Sequence, residues 1–399
     1  MTPGADQNAD AAEDEKFAAI GGWPGVLGRL MSGRDLTGEE AGCVLGTVLS
    51  GTATDAQIAA LVTGLRIKGE TVEEMAGLVR AMLAHAEPLD VPGDLVDTCG
   101  TGGDRSGSVN VSTMAAFVVA GAGARVCKHG GRAASSASGS ADVLEALGVV
   151  IDLGPRGVAR CIEEVGMGFC FAPRYHPAMR FAIPVRRELG VATVFNFLGP
   201  LANPARPRHQ VVGVSDPAMA DKMLGVLVAN GARRAMVVHG ADGLDELSTT
   251  APSSVLQVDL ADQADQADQA DEADRPNGAR HEEGARQPDG TTLHDEVRRY
   301  TVDAADLGIA SATLDDLRGG DAASNAEVVK RVLGGEVGPH RDVVVLNAAA
   351  GLVVAGLAKE LADGVGMAGA VLDDGRAQGV LEGLVRVSQE AARADVEPS

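Results

Sequence analysis

Three glycine-rich segments of the chain carry residue types that can hold an anion. The first is Asp97-Thr98-Cys99-Gly100-Thr101-Gly102-Gly103-Asp104, which leads into Ser106-Gly107-Ser108-Val109-Asn110-Val111-Ser112-Thr113. Its glycines let the main chain approach a ligand closely and take unusual dihedrals, and Ser112 or Thr113 can cap a helix whose N-terminal amides then face a phosphate. The spacing is not a dinucleotide-binding fingerprint, because Arg105 stands at the third glycine's place, nor a Walker loop, because no Gly-Lys-Ser/Thr follows. The second segment is Lys128-His129-Gly130-Gly131-Arg132-Ala133-Ala134-Ser135-Ser136, continuing through Ser140 to Asp142. Two cations, several hydroxyls and free amides make a second anion site of it; the plainer alternative is a serine-rich surface loop. His129, beside Lys128, is expected to stay uncharged and to pack or hydrogen-bond rather than act as a base. The third segment places Asp245 and Glu246 after the turn Gly240-Ala241-Asp242-Gly243-Leu244. Adjacent carboxylates can simply complement a helix dipole, but with phosphate loops upstream they suit magnesium shared with substrate phosphates.

The elements that must position these loops are readable around them. Short β-branched runs at residues 95–100, 124–130, 210–214 and 234–240, each followed by a glycine turn, predict a βα alternation with a largely parallel sheet. The α/β domain is expected over 93–395. Ahead of it, residues 23–92 predict a small bundle of helices. Thr37 with Glu40, Thr54 with Gln57, and Thr71 with Glu74 have capping-box spacing, and Ile58, Leu61, Val62 and Leu65 fall on one helical face. Residues 173–207 break the alternation and are expected to return to the helical part over about 176–206. Residues 1–22 are acidic and aperiodic, so a disordered lead-in is expected. The Ala-Asp-Gln repeat at 259–274, with six Asp and one Glu, opens an expected disordered insertion at about 259–296 between two strands.

Composition narrows the function classes. The 399 residues carry 56 acidic and 34 basic side chains, a net charge of -22 that repels nucleic-acid backbones. The apolar run at 114–124 is far short of the roughly 20 residues of a bilayer span, and the acidic N-terminus lacks signal-peptide features, so neither a membrane nor an export role is expected. A cytoplasmic protein is the expectation. Five cysteines without a Cys-x-x-Cys pair are expected to be free thiols.

Taken together, these segments resemble the anthranilate phosphoribosyltransferases. The resemblance is carried also by His176-Pro177-Ala178-Met179, by Arg186-Arg187-Glu188-Leu189-Gly190, by Phe195-Asn196-Phe197-Leu198-Gly199-Pro200-Leu201-Ala202-Asn203-Pro204, and by Asp242-Gly243-Leu244-Asp245-Glu246-Leu247. Gly319-Gly320-Asp321-Ala322 with Asn325, and Asn347, fit as well. It runs from about residue 23 to 386. The resemblance implies a helical N-terminal domain on a large α/β domain with a mostly parallel central sheet, a homodimer formed through the helical domain, and a crevice between the domains. The implied reaction joins anthranilate to phosphoribosyl pyrophosphate (PRPP), releasing pyrophosphate, with two magnesium ions and no acid–base residue. By resemblance, PRPP would lie on Gly100, Gly103, Asp104, Ser108, Asn110, Val111, Ser112, Thr113, Lys128, His129, Gly130, Gly131, Arg132, Ala133, Ala134, Ser135, Ser136 and Ser140. Gly100, Gly131 and Arg186 would meet anthranilate, with Arg186 on its carboxylate. Ser112 would serve one magnesium, and Asp245 and Glu246 the other.

One departure stands out: the family usually has Asn where this chain has Gly131. Loss of that side-chain hydrogen bond is expected to weaken the acceptor's binding by about 0.5 to 1.5 kcal/mol or to alter the acceptor. The alternatives are a paralogue serving a secondary pathway, a pyrimidine nucleoside phosphorylase and a non-catalytic nucleic-acid-binding paralogue. The acidic pair argues against the phosphorylase, and the charge of -22 against the nucleic-acid binder.

Overall fold

The structure, a computed structural model, describes residues 15–133, 137–260 and 296–396. The start of the acidic lead-in, the body of the insertion and Ala134, Ser135 and Ser136 lie outside the described residues. The first part is helical: α1 (Gly22–Met31), α2 (Gly38–Leu49), α3 (Asp55–Lys68) and α4 (Val72–Ala84). Each of α2, α3 and α4 starts at a capping box, in which Thr37, Thr54 and Thr71 accept the amides of Glu40, Gln57 and Glu74 and those side chains answer back. Each box satisfies two otherwise orphaned amides, and such a cap stabilises by about 1 kcal/mol. Helical structure begins before Trp23, at residues 15–19, where the Phe17 ring meets the Trp23 ring edge-on at 5.6 Å. That aromatic contact anchors a stretch whose acidic composition hid it.

The second part is built on seven strands: β1 (Val96–Gly100), β2 (Val126–Gly130), β3 (Met167–Phe171), β4 (His209–Gly213), β5 (Arg234–Gly240), β6 (Ser253–Asp259) and β7 (Arg298–Val302), in the order β3-β2-β1-β4-β5-β6-β7. Strands β3 through β5 in that order are parallel, whereas β6 and β7 pair antiparallel. Helix α5 (Val111–Gly121) follows β1, α6 (Ser140–Ala146) and α7 (Pro155–Val165) follow β2, α8 (Ile183–Leu189) follows β3, and α9 (Ala220–Ala229) lies between β4 and β5. The chain ends in α10 (Ala322–Leu333), α11 (Pro339–Val354), α12 (Leu361–Asp373) and α13 (Arg376–Val396). None of the described helices is long and apolar enough to cross a membrane.

Alternation along the strands gives each sheet face its own core. Val211, Met236, Val238 and Val255 join the residues of α5, α11 and α13 on one face. Val212, Ala235, Val237 and Leu256 join the helical bundle on the other. Ala182, Val185, Phe195, Phe197 and Leu198 share this second core, so the segment after β3 packs with α2, α3 and α4. Strand order reverses between β1 and β4, which opens a crevice at their carboxyl ends. Asp259 is still in the ladder, paired with Arg234 and accepting its Nε at 3.0 Å, so strand structure continues past the expected start of the insertion. Because β6 runs antiparallel to β5, the insertion leaves the sheet at the end opposite the crevice.

Candidate active site

Close backbone approach assembles the crevice. A Cβ on Gly100 would lie 2.2 Å from Asp245 Oδ2, and one on Gly213 would lie 1.6 Å from the Asp245 carbonyl oxygen. Glycine at the ends of β1 and β4 therefore lets the turn after β5 cross over both strand ends. The Gly102 amide then donates to Asp245 Oδ2 at 2.6 Å, and the Ser112 amide donates to Glu246 Oε1 at 3.0 Å. No helix follows the acidic pair. Glu246 instead sits at the N-terminus of α5, where the helix dipole favours negative charge.

Other residues fix this turn. Asp242 accepts from the Leu244 amide at 3.2 Å, the Ser248 hydroxyl at 2.6 Å and the Thr250 hydroxyl. Asn347, on α11, accepts the Leu247 amide at 2.9 Å and donates to the Leu247 carbonyl at 2.8 Å.

The loop after β1 is equally constrained. Gly102, Gly103, Arg105 and Gly107 have φ of 68°, 82°, 57° and 67°. Asp104 accepts the Ser106 hydroxyl at 2.7 Å, and that hydroxyl lies 3.1 Å from Ser108 Oγ. Neither Ser112 nor Thr113 caps α5: Asn110 occupies the N-cap position and makes no side-chain cap bond. Its amide group links loops instead, donating to the Ser138 carbonyl at 3.2 Å and accepting from Asn325 Nδ2 at 2.9 Å. Asn325 also accepts the Gly320 amide at 2.7 Å, and the Gly319 amide donates to the Gly107 carbonyl at 2.8 Å.

The site is negative, with one buried cation. Lys128 is 2% exposed; its Nζ donates to the Thr98 carbonyl and lies 3.3 Å from Ser112 Oγ. Burial, and then the charge of Asp104, push the Asp245 carboxyl up; burial, and then Asp245, push up that of Glu246. Among the described residues, no group of three or more His, Cys, Asp or Glu forms a metal cage by itself.

The second loop divides. Asp142 Oδ2 accepts the Ala133 and Gly139 amides, each at 2.9 Å, and closes the loop onto Ser140 at the start of α6. The Arg132 guanidinium is committed to Asp142 at 2.9 Å and to Glu145 at 2.8 and 3.1 Å, so the geometry gives it to α6. His129 is buried, its ring 5.2 Å from that of His176; burial, and then His176, push its pKa down to about 3. Gly130 ends β2, and among the described residues a Cβ on Gly131 would meet only Ala172 Cβ, at 3.9 Å.

Arg186 on α8 stacks 5.5 Å above the Phe195 ring and forms no ion pair with any described residue, Glu188 included. Phe195 begins a one-turn helix that leads to Pro200, whose carbonyl accepts the Cys99 thiol at 3.7 Å. The segment that carries Phe195 thereby reaches the carboxyl end of β1. Sequence reasoning gave no role to Gly213, Asp242, Asn203, Asn325 or Asn347. Asn203, buried, donates to Asp97 Oδ2 at 2.9 Å and to the Cys127 carbonyl at 2.8 Å, joining β1 to β2.

Comparison with known proteins agrees with this architecture. The glycosyl transferase family α/β domain matches residues 92–276 and 288–378, and the helical bundle domain of that family matches 24–86. An anthranilate phosphoribosyltransferase of Roseiflexus castenholzii is 48% identical over 361 residues, 90% of this chain and 96% of that protein. The crystal structure of anthranilate phosphoribosyltransferase from Thermus thermophilus is 39% identical and superposes with a TM-score of 0.78 over 91% of this chain and 99% of that one. The Saccharomyces cerevisiae enzyme in complex with PRPP and Mg shares the fold, with a TM-score of 0.77 at 24% identity over 92% of this chain and 98% of that one. On the extent of these matches, the chain belongs to the anthranilate phosphoribosyltransferase family.

Proposed function

We propose that the protein transfers the 5-phosphoribosyl group of PRPP to the amine of anthranilate and releases pyrophosphate. The observation that carries this reading is the acidic pair Asp245–Glu246, held on the amides of Gly102 and Ser112 at the mouth of the phosphate loop.

The donor set fits magnesium. Asp245 is buried and Glu246 half-buried, both with raised pKa and no cation bonded to them among the described residues, and a small hard cation offsets such a charge excess. Asp245 and Glu246, with Ser112 on the α5 side, would hold two ions between them, water and substrate phosphates completing the shells. When bound, magnesium would neutralise the charge that develops on departing pyrophosphate.

The chain's own groups do the rest. The Gly102 and Ser112 amides hold the acidic pair, so the Gly103 and Thr113 amides, with Ser108 and Asn110 beside them, would receive the phosphates, and Lys128 would contribute its buried charge from beneath. Gly130, Gly131, Ala133 and Ser140 would line the second loop's share of the donor site. No side chain needs to act as a base, because anthranilate attacks as a neutral amine and sheds its proton late. His129, uncharged and buried, suits packing. Arg186, partly desolvated and unpaired, would receive the anthranilate carboxylate through its planar donors, so that proximity supplies much of the rate. Closure of the crevice would exclude water from the activated ribose.

Met31 and Ile67 are 87% and 82% exposed at the ends of α1 and α3, which supports a homodimer formed through the helical domain. None of the five cysteines forms a disulfide and four are buried, which supports a cytoplasmic setting. The test is pyrophosphate release: it should need both anthranilate and magnesium and disappear in Asp245→Ala. Release that ignores anthranilate would reject the reading. A related aromatic amine is the second reading, favoured by the absence of a side chain at Gly131.

A further inference from the structure

Arg105 is anomalous in its loop. Among the described residues, only Arg105 and Arg206 combine a side chain with positive φ, and Arg105 has φ of 57° between glycines at 102, 103 and 107 that adopt the same region. Left-handed dihedrals disfavour any residue with a Cβ, so glycine is the unstrained choice at this position. Retained strain in a ligand-facing loop marks a side chain that does something glycine cannot.

Charge gives the second line of argument. Asp104, Asp245 and Glu246 stand against Lys128, and any phosphate arriving at this loop brings further negative charge. Of the cations carried by the anion loops, Arg132 is bound to Asp142 and Glu145, and Lys128 is bonded to Thr98 and Ser112. Arg318, which faces Ser108 across an isolated bridge, is paired with Asp315 at 2.6 Å. The exposed Arg105 makes no hydrogen bond or ion pair with another described residue. An arginine stays charged at any working pH and presents a planar fork matched to phosphate oxygens. Arg105 lies three residues past Gly102, whose amide donates to Asp245 Oδ2 at 2.6 Å, and between Asp104 and Ser106, whose side chains are bonded at 2.7 Å, so it stands on the stretch of loop that meets the acidic pair.

We propose that Arg105 is a substrate-contacting residue, one whose guanidinium takes the diphosphate group of the donor at the outer edge of the phosphate loop. The inference rests on the PRPP reading of the site and adds to it a donor-specificity residue outside the loop's backbone amides.

Arg105→Gly tests it cleanly, since glycine fits φ of 57° and leaves the loop's shape intact. The KM for PRPP should rise about five- to twentyfold, a partly exposed charge-assisted contact, while kcat and the anthranilate KM change less than about twofold. Inhibition by inorganic pyrophosphate should weaken by the same factor and inhibition by ribose 5-phosphate should not. Arg105→Lys should recover part of the loss, and the Tm of Arg105→Gly should equal or exceed that of the parent. A PRPP KM and a pyrophosphate inhibition constant that stay unchanged in Arg105→Gly would overturn the proposal. Calorimetric titration of parent and variant with magnesium and PRPP, without acceptor, separates the two readings. If the parent binds PRPP but does not consume anthranilate, the proposed function fails, and the ratio of the two affinities still decides Arg105.

Discussion

Asp245 accepts the Gly102 amide at 2.6 Å, so the turn after β5 is bonded directly onto the phosphate loop after β1. With the Ser112 amide on Glu246, this contact joins the acidic pair to the backbone amides, and it exists because Gly213 leaves no side chain between β4 and the Asp245 carbonyl.

Gly213→Ala should therefore break the site from below. Its Cβ would fall 1.6 Å from a backbone oxygen, which cannot swing aside as a side chain can. A loss of about 1 to 3 kcal/mol in urea-unfolding stability is expected, with activity lost even where the protein folds. Parent-like stability and turnover would contradict the packing argument.

Asn325→Ala should act on the donor without touching it. The substitution removes the acceptor of the Gly320 amide and the donor to Asn110, leaving part-buried polar groups unpaired at about 1 to 3 kcal/mol. The KM for PRPP is expected to rise by about tenfold or more, with the anthranilate KM nearly constant.

Gly131→Asn should tighten the acceptor. The position has ordinary φ, and among the described residues only Ala172 Cβ lies near a new Cβ, at 3.9 Å, so a Cβ can be accommodated. One added hydrogen bond predicts an anthranilate KM lower by up to about tenfold. An unchanged constant would show that the missing amide is not what sets acceptor affinity here.

His129 predicts a pH dependence of stability. Its folded-state pKa is pushed down to about 3, below the ordinary 6.5, first by burial and then by His176. Below pH 6.5 the unfolded chain takes up a proton that the folded chain refuses, so this contribution is present above 6.5 and is lost as pH falls toward 3. The loss is about 2 kcal/mol by pH 5. His129→Gln should show a smaller drop in urea-unfolding stability between pH 7 and pH 5 than the parent; an equal drop would place the titration elsewhere.

What could be read from the sequence was what is encoded locally. Thr37, Thr54 and Thr71 reach only three residues ahead, and all of them start helices as their spacing predicts. The acidic pair and the glycine loops were recognisable because their chemistry is written in consecutive residues. Asn325, Asn347 and Asn203 act across long separations, on Asn110, Leu247 and Asp97, and no local pattern marks an asparagine for such a task. Arg132 looked like an anion ligand because its partner Glu145 lies one helix later, and its commitment to α6 depends on how that helix turns. Phe17 was hidden by the acidic residues around it, although one aromatic contact is enough to extend the first helical segment.

The most direct test of the central claim follows anthranilate fluorescence with PRPP and magnesium, comparing the parent with Arg186→Ala. The parent should consume anthranilate, and the variant should need at least about tenfold more anthranilate with its PRPP KM unchanged, because the unpaired guanidinium over Phe195 is lost. A parent that binds PRPP with magnesium but leaves anthranilate untouched, or a variant with an unaltered anthranilate KM, would contradict the account.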